Sequence, residues 1–273
     1  LHLARKATGR TAVASVTGGW HGRTVATLAC CDGRSYEAGA LRAGMALSAR
    51  VAFDDVASLD AVLDETMAAL IVEPVQGMAG ARDCSPEFLA AARRLCTERG
   101  IALLFDEVQC GVGRSGTFTA AEMYGVVPDG LTLAKGLGSG YPIGAVVAGP
   151  MLATGIGVGD LGSTFGGGPV ACAAALATLS VIADEDLIGN AARVGAHIAA
   201  GARALGARKV WGRGLLLGLD FGRPAKGLQQ ALFAHRILTG TSADPNVLRI
   251  MPPLTLSIPE ADLLLAGLRE VLA

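Results

Sequence analysis

The sequence predicts an α/β fold: a mostly parallel sheet covered by helices on both faces, followed by a smaller α+β domain. Three observations lead there. Short aliphatic or β-branched runs alternate with helix-length patterns through most of the chain, which is the signature of strands joined by helical crossovers. The length, 273 residues, suits one large domain with a smaller one attached and leaves ample core. After the Ala-rich stretch that ends at Asp186 the pattern changes to short strands flanked by helices, so a large domain is expected over 1–185 and a small one over 186–273.

Taken in order, "LHLARKATGR" is the end of a helix, basic in its last turns and closed by Gly9. The helix is already under way at residue 1 and there is no starting Met, so an N-terminal part of the natural protein is expected to precede it. Strands are expected at "TAVASV" (11–16), "AALIVEP" (68–74), "IALLFDE" (101–107), "LTLA" (131–134) and "GAVVAG" (144–149). Between them, "SPEFLAAARRLCTERG" is a helix with Ser85 as N-cap, Pro86 at its first position and Gly100 as its stop. A long Ala-rich helix covers "GGGPVACAAALATLSVIADED". Beyond it, helices at 187–206, 227–238 and 258–272 flank the strand-like "RKVWGRGLLLGLDF" and "NVLRIMPPLTL".

Composition excludes several classes of function. Net charge is −1, the pI is about 6.5 and the basic residues are scattered, which argues against nucleic acid or an anionic membrane as partner. Half of the residues are hydrophobic (51%), 17% are charged and the mean hydropathy is +0.46, so part of the apolar surplus is expected to face another subunit. The six cysteines, at 30, 31, 84, 96, 110 and 172, form no CxxC pair and have no companion His spacing. Zinc and a disulfide framework are therefore not expected, and a reducing cytoplasm is. The charge-free run over 136–159 is too rich in Gly and Pro for a membrane helix.

Five segments carry candidate chemistry. "GVGRSG" (111–116) matches GxGxxG after a strand, but "DEVQC" intervenes and puts two carboxylates where phosphates would approach, which argues against a dinucleotide site. Asp106 ends an apolar strand, where ligands gather in open α/β sheets; standing alone, it and Glu107 read rather as solvated strand-end acids. Lys135 ends the next strand-like run and is the only charged side chain from Gly130 through Gly159, set among apolar residues and glycines where burying an ammonium is expensive. A carboxylate and a lone lysine at neighbouring strand ends are what a pyridoxal phosphate enzyme requires: the lysine bonds the aldehyde and the acid keeps the pyridine nitrogen protonated. Desolvation would leave the lysine an amine able to attack and to shuttle protons.

The other segments are open to two readings each. "GSTFGGGPVACAAA" (162–175) offers Ser163, Thr164 and free N–H groups ahead of a helix, an anion seat or an N-capping loop. "TGGWHGRT" (17–24) sets an aromatic, an imidazole and a guanidinium in a glycine loop. Trp20 there is suited to stack on a planar ring and Arg23 to grip a carboxylate, or they are a buried Trp and a surface Arg. Arg249 lies mid-strand in an apolar run and is expected to have an anionic partner.

Together these segments resemble the class III (subgroup II) aminotransferases of pyridoxal phosphate fold type I, and among them the acetylornithine aminotransferases. The resemblance runs over essentially the whole chain and rests on "LARKATGRTAVASVTGGWHGRT", "VEPVQG", "LLFDEVQCGVGRSGTF", "PDGLTLAKGLGSGYPIGAV", "GSTFGGGPVACAAALA" and "NVLRIMPPLTLS" in the family's order. It implies that Lys135 is the Schiff-base lysine, Asp106 the partner of the pyridine nitrogen and Gln109 the neighbour of the ring hydroxyl, with Glu107 and Val108 in the same cofactor-binding segment. Trp20 falls at the position that stacks on the ring. Thr164 resembles the phosphate-binding threonine that reaches across a homodimer interface, with Ser163 beside it at the substrate. Arg23 and Arg249 resemble the two substrate-carboxylate grips.

The implied reaction moves the terminal amine of N-acetylornithine, or a similar acylated diamino acid, to 2-oxoglutarate. It places the enzyme in amino-acid biosynthesis, in the arginine or the lysine pathway. Ornithine, 4-aminobutyrate, succinylornithine and succinyldiaminopimelate aminotransferases share the resemblance, and an inactive fragment acting only as a dimer partner is the alternative outside catalysis. Two departures stand out. Part of the family's phosphate cup comes from a Ser/Gly-Ala-Glu-Ala-Asn-like loop expected just ahead of residue 1. After "VEPVQG" the ornithine, acetylornithine and 4-aminobutyrate enzymes usually carry Glu, where this chain has Met78.

Overall fold

The computed structural model describes Leu1 to Ala273. The elements run α1 (His2–Thr8), β1 (Ala12–Val16), α2 (Val25–Leu28), α3 (Arg34–Arg42), β2 (Ala49–Val51), α4 (Val56–Val62), β3 (Met67–Val72), β4 (Val75–Gln76) and β5 (Arg82–Asp83). They continue with α5 (Pro86–Arg99), β6 (Ala102–Asp106), α6 (Ala120–Tyr124), β7 (Gly130–Leu133), a 3-10 turn over Lys135–Gly138, β8 (Ala145–Ala148) and α7 (Pro150–Ala153). The rest is α8 (Pro169–Asp184), α9 (Leu187–Ala204), β9 (Lys209–Arg213), β10 (Leu216–Asp220), α10 (Ala225–Ala234), β11 (Gly240–Thr241), β12 (Val247–Ile250) and α11 (Ile258–Leu272). Two compact units result: Leu1–Pro74 with Cys84–Gln109 and Ala121–Leu176, and Val75–Asp83 with Cys110–Ala120 and Ala177–Ala273.

The first unit is built on a six-stranded sheet in the order β2-β1-β3-β6-β7-β8. All pairs are parallel except β7 with β8. The runs "MAALIV" and "ALLFD" are apolar almost throughout because β3 and β6 are central and buried at every position. On one face α5 inserts Phe88, Leu89, Ala92, Leu95 and Cys96, spaced to share one side of a helix, against Leu70, Val72, Leu103 and Phe105. Each large apolar side chain so buried contributes about 1.5–3 kcal/mol. On the other face Ala4 of α1 joins Val13, Ala69, Ile71, Leu104 and Leu152.

Helix α5 begins and ends where its sequence dictates. The Ser85 hydroxyl accepts the Phe88 N–H at 3.1 Å, and Gly100 turns the chain with φ 61°. Asp54 secures the cap by accepting both the N–H and the hydroxyl of Ser85 at 2.8 Å.

The second unit carries a four-stranded antiparallel sheet, β11-β12-β10-β9. Helices α9, α10 and α11 supply Val194, Ile198, Leu232, Leu264 and Leu268 to the core formed with Leu217, Leu219, Leu248 and Ile250. A reciprocal capping box between Ser257 and Glu260 starts α11.

One feature of the first unit governs the site. Strands β1, β3, β6 and β7 are parallel, so the loops that follow Val16, Val72, Asp106 and Leu133 all leave from the same, carboxyl edge of the sheet.

Candidate active site

Asp106 is the last residue of β6, and the β6–β7 register pairs it with Thr132. Lys135 follows just beyond the end of β7, so acid and lysine sit at the ends of neighbouring strands. The Asp106 side chain is only 8% exposed, and its two oxygens are divided between different donors. Oδ1 accepts the Val108 N–H and the Thr132 hydroxyl, both at 3.2 Å, and Oδ2 lies 2.8 Å from His21 Nδ1. Burial, the largest influence, pushes this carboxyl up, but the hydrogen bond and charge of His21, with Val108 and Thr132, prevail and hold it below its ordinary value. The result is a buried group that stays an anion. An ionised carboxylate only accepts, so His21 Nδ1 carries the hydrogen.

The loop after β1 brings His21 to Asp106. Gly19 makes the tight turn: a Cβ there would lie 2.9 Å from both the Val16 carbonyl oxygen and His21 Nε2. Asp32 accepts the Gly18 N–H at 2.7 Å, and Glu73 accepts the Trp20 N–H at 2.8 Å. Glu73, almost fully buried at the end of β3, thereby fixes the backbone that aims the indole. The Cys31 sulfur takes the His21 N–H at 3.1 Å and donates to the Gly22 carbonyl at 3.3 Å. Burial pushes the Cys31 thiol up, which keeps it a neutral donor.

Lys135 adopts φ 44°, a left-handed conformation that costs an L residue about 1–3 kcal/mol. Its Nζ lies 5.8 Å from the centroid of the Trp20 ring, within cation–π range. The lysine is exposed, not buried as its apolar surroundings in the sequence suggested. The physical reason is size: its exposed neighbours Gly136, Ser139 and Gly140 are too small to cover a lysine.

Gln109 is buried, and its Nε2 has no hydrogen-bond partner in the chain. Trp20 Nε1 and His21 Nε2 are buried without partners as well. Glu107 is buried with Oε1 accepting the Ala121 N–H at 2.8 Å near the start of α6, and Val108 contributes its N–H to Asp106. Arg23 is exposed and makes no ion pair. Ser163 and Thr164 are exposed in the loop ahead of α8, and neither hydroxyl makes a hydrogen bond. The first unit therefore gathers Asp106, His21, Trp20, Lys135, Val108 and Gln109, while Ser163, Thr164 and Arg23 stand open. In the second unit, Arg249 on β12 donates from Nη1 to the Gly77 carbonyl at 3.1 Å and to the Met78 sulfur at 3.2 Å.

A buried ionised carboxylate, a lysine at the next strand end and an indole over that lysine are the parts of a site that binds a protonated heteroaromatic ring. The aminotransferase class-III family model matches residues 1–272. The chain belongs to the class-III aminotransferases. Among relatives, it is 41% identical to acetylornithine aminotransferase 1 of Bordetella pertussis over 89% of this chain and 63% of that protein. It is 39% identical to the acetylornithine aminotransferase of Archaeoglobus fulgidus over 96% of this chain and 69% of that one. Among solved structures, the ornithine aminotransferase of Toxoplasma gondii superposes with a TM-score of 0.88 at 28% identity, covering 99% of this chain and 68% of that one. A PLP-bound amine transaminase from an uncultivated Pseudomonas species gives 0.86 at 30% identity, covering 98% and 72%. The chain thus spans about two thirds of the length of the relatives it matches.

Class-III aminotransferases are pyridoxal-phosphate enzymes, and the residues here fit that group. A buried donor without an acceptor costs about 1–3 kcal/mol. Gln109 Nε2 and Trp20 Nε1 carry that cost in this chain, in loops at the same sheet edge as an anion and a lysine. The sequence alone assigns no role to the imidazole of "TGGWHGRT". The signal lay in its position, a lone His in a glycine loop leaving the same sheet edge as Asp106. Glu73, Thr132 and Cys31 were missed too, because their work is to hold a loop or an acid in place.

Proposed function

We propose that the chain forms most of a pyridoxal-phosphate-dependent aminotransferase. Its reaction moves the terminal amine of N-acetylornithine, or a similar acylated diamino acid, to 2-oxoglutarate, giving the semialdehyde and glutamate. One observation carries the reading: Asp106 is buried, held ionised by His21, and placed at the strand end beside the one that leads to Lys135. Bound pyridoxal phosphate would supply an electron sink. Asp106 would hold the proton on its ring nitrogen, Gln109 would lie beside its ring hydroxyl and Trp20 would cover one of its faces. Lys135 would hold the group through its amine and, as a free amine, would move a proton to and from the reacting carbon of the substrate as base and acid. Arg23 grips the donor's carboxylate and so selects the distal amine over the α-amine, and Arg249 grips a carboxylate of the acceptor.

The donor assignment is supported by relatives named acetylornithine aminotransferase at 35–41% identity, and with it a place in arginine biosynthesis. Ornithine is the second reading, supported by the likeness to the Toxoplasma enzyme. Rates with acetylornithine, succinylornithine, ornithine and 4-aminobutyrate, each with and without 2-oxoglutarate, separate these donors; equal rates with and without the acceptor exclude transamination.

The exposed Ser163 and Thr164, beside the exposed Phe165 and Leu161, support a homodimer in which this loop reaches the other copy's cofactor phosphate. No helix is long and apolar enough to cross a membrane, and cytoplasmic residence fits the absence of any CxxC or disulfide framework. Replacing Lys135 with Ala in the full-length enzyme is expected to abolish turnover and the visible absorbance of bound cofactor. A variant that still transaminates at the wild-type rate rules the assignment out.

A further inference from the structure

The segment "GVGRSG", set aside as a dinucleotide site, has an observed role of a different kind. Arg114 within it donates from Nη1 to the Leu215 carbonyl at 3.2 Å and also to the Pro252 carbonyl. Its own carbonyl accepts the Leu215 N–H at 2.9 Å. These positions are related by the sheet. Strands β10 and β12 pair Leu217 with Ile250 and Gly218 with Arg249, so the register continued past the strand ends brings Leu215 opposite Pro252.

The ladder cannot run on there by itself. Pro252 has no N–H to donate, and Pro253 follows it. Arg114 takes the place of the missing rung, with its guanidinium bridging the two carbonyls and its backbone receiving the amide. The approach is close: a Cβ on Gly214 would lie 2.6 Å from the Arg114 carbonyl oxygen. Burial lowers the Arg114 guanidinium from its ordinary value, yet it is held by backbone carbonyls and makes no ion pair. A carboxylate there would pair with the cation but bridge no strands, whereas two carbonyls tie the strand ends together.

Arg249 lies three residues before Pro252 on a strand of four residues, and a strand rises about 3.3 Å per residue. An end left loose so close to a binding side chain lets the guanidinium wander, and a 1 Å misplacement of a substrate-orienting group costs up to about a hundredfold. We propose that Arg114 is a positioning residue for Arg249, clamping the carboxyl end of β12 to β10 so that the guanidinium is presented to the acceptor's carboxylate at a fixed height. The clamp therefore acts on recognition of the dicarboxylic acceptor and leaves the chemistry at Lys135 untouched. The inference rests on the reading of Arg249 given under the proposed function.

The test is Arg114→Met in the full-length enzyme, with binding of glutarate, an unreactive dicarboxylate, measured by calorimetry beside steady-state kinetics. Glutarate affinity is expected to fall about tenfold and KM for 2-oxoglutarate to rise in parallel. The rate of the donor half-reaction should stay within about twofold of wild type. Arg114→Lys keeps the cation but loses the planar fork, and is expected to fall between the two. If the methionine variant does not fold, the lysine variant reads the same quantity. Glutarate affinity equal to wild type in either folded variant overturns the assignment, as does a uniform loss of donor rate and acceptor affinity. A wild type that binds glutarate and transaminates beside an unchanged variant sinks the Arg114 inference alone. A wild type that does neither sinks the proposed function and this inference with it.

Discussion

Asp106 is an acid whose usefulness depends on its neighbour. A carboxyl held below its ordinary range in the folded chain binds a proton less readily there than in the unfolded chain. It therefore stabilises the fold above the ordinary carboxylate value, and that contribution fades as pH falls through the folded value. Burial alone would reverse the sign, and His21 is the leading influence that prevents this. Replacing His21 with Phe keeps the burial and removes the hydrogen bond and the charge. The carboxyl should then rise, and the acid limb of the kcat/KM profile should move to higher pH, together with the onset of acid unfolding. An acid limb that stays in place in a folded His21→Phe variant contradicts the role given to the pair. At this scale Asp106 and Lys135 were legible because each ends an apolar run. His21 and Glu73 were not, because a side chain that acts through another residue leaves no mark in spacing.

Among the elements, legibility followed length and chemistry. Helix α5 was readable at both ends from Ser85, Pro86 and Gly100, and each did what its type does best. Strands β3 and β6 were readable as apolar runs. Strand β2 has three residues and β4 and β5 have two each, too few for a period to register; β2 is paired by the distant β1, whereas β4 and β5 pair with each other. Residues 75–83, which hold β4 and β5, and residues 110–120 belong to the second unit although they lie far ahead of the rest of it in sequence. The α5 cap gives a quantitative check. Ser85→Ala removes the hydroxyl that accepts from Phe88 and donates to Asp54, so it is expected to destabilise the protein by about 1–2 kcal/mol. Chemical denaturation should show that loss with little change in m-value and, because Ser85 bonds Asp54 and Phe88 and no residue of the site, with KM unchanged. A loss below a few tenths of a kcal/mol means that Asp54 and Pro86 hold the helix start without the hydroxyl.

For the molecule as a whole, the apolar surplus has a location. Helix α8 carries no charged residue from Pro169 to Ala183, and a helix apolar all round belongs in a core. Yet Val170, Ala173, Leu176, Ala177 and Val181, spaced along one stripe, are exposed, with Leu176 at 69% and Val170 at 62%. Phe165 in the preceding loop is 91% exposed, and Val158 and Leu161 are open too. Exposed apolar residues of this kind fit the homodimer proposed above, and a stable interface buries about 1,600 Å² in total. The same loop carries Ser163 and Thr164, so the face that would dimerise is also the face that would complete a neighbouring site. Leu176→Asp places a charge at the centre of the stripe, on a helix that carries none of the residues proposed to bind cofactor or substrate. Light scattering should then show the dimer shifted to monomer, with cofactor affinity and turnover lost in step because each site lacks the other copy's Thr164. Turnover retained by a fully monomeric Leu176→Asp variant would show that each chain completes its own site and that Thr164 has no part in holding the phosphate across an interface.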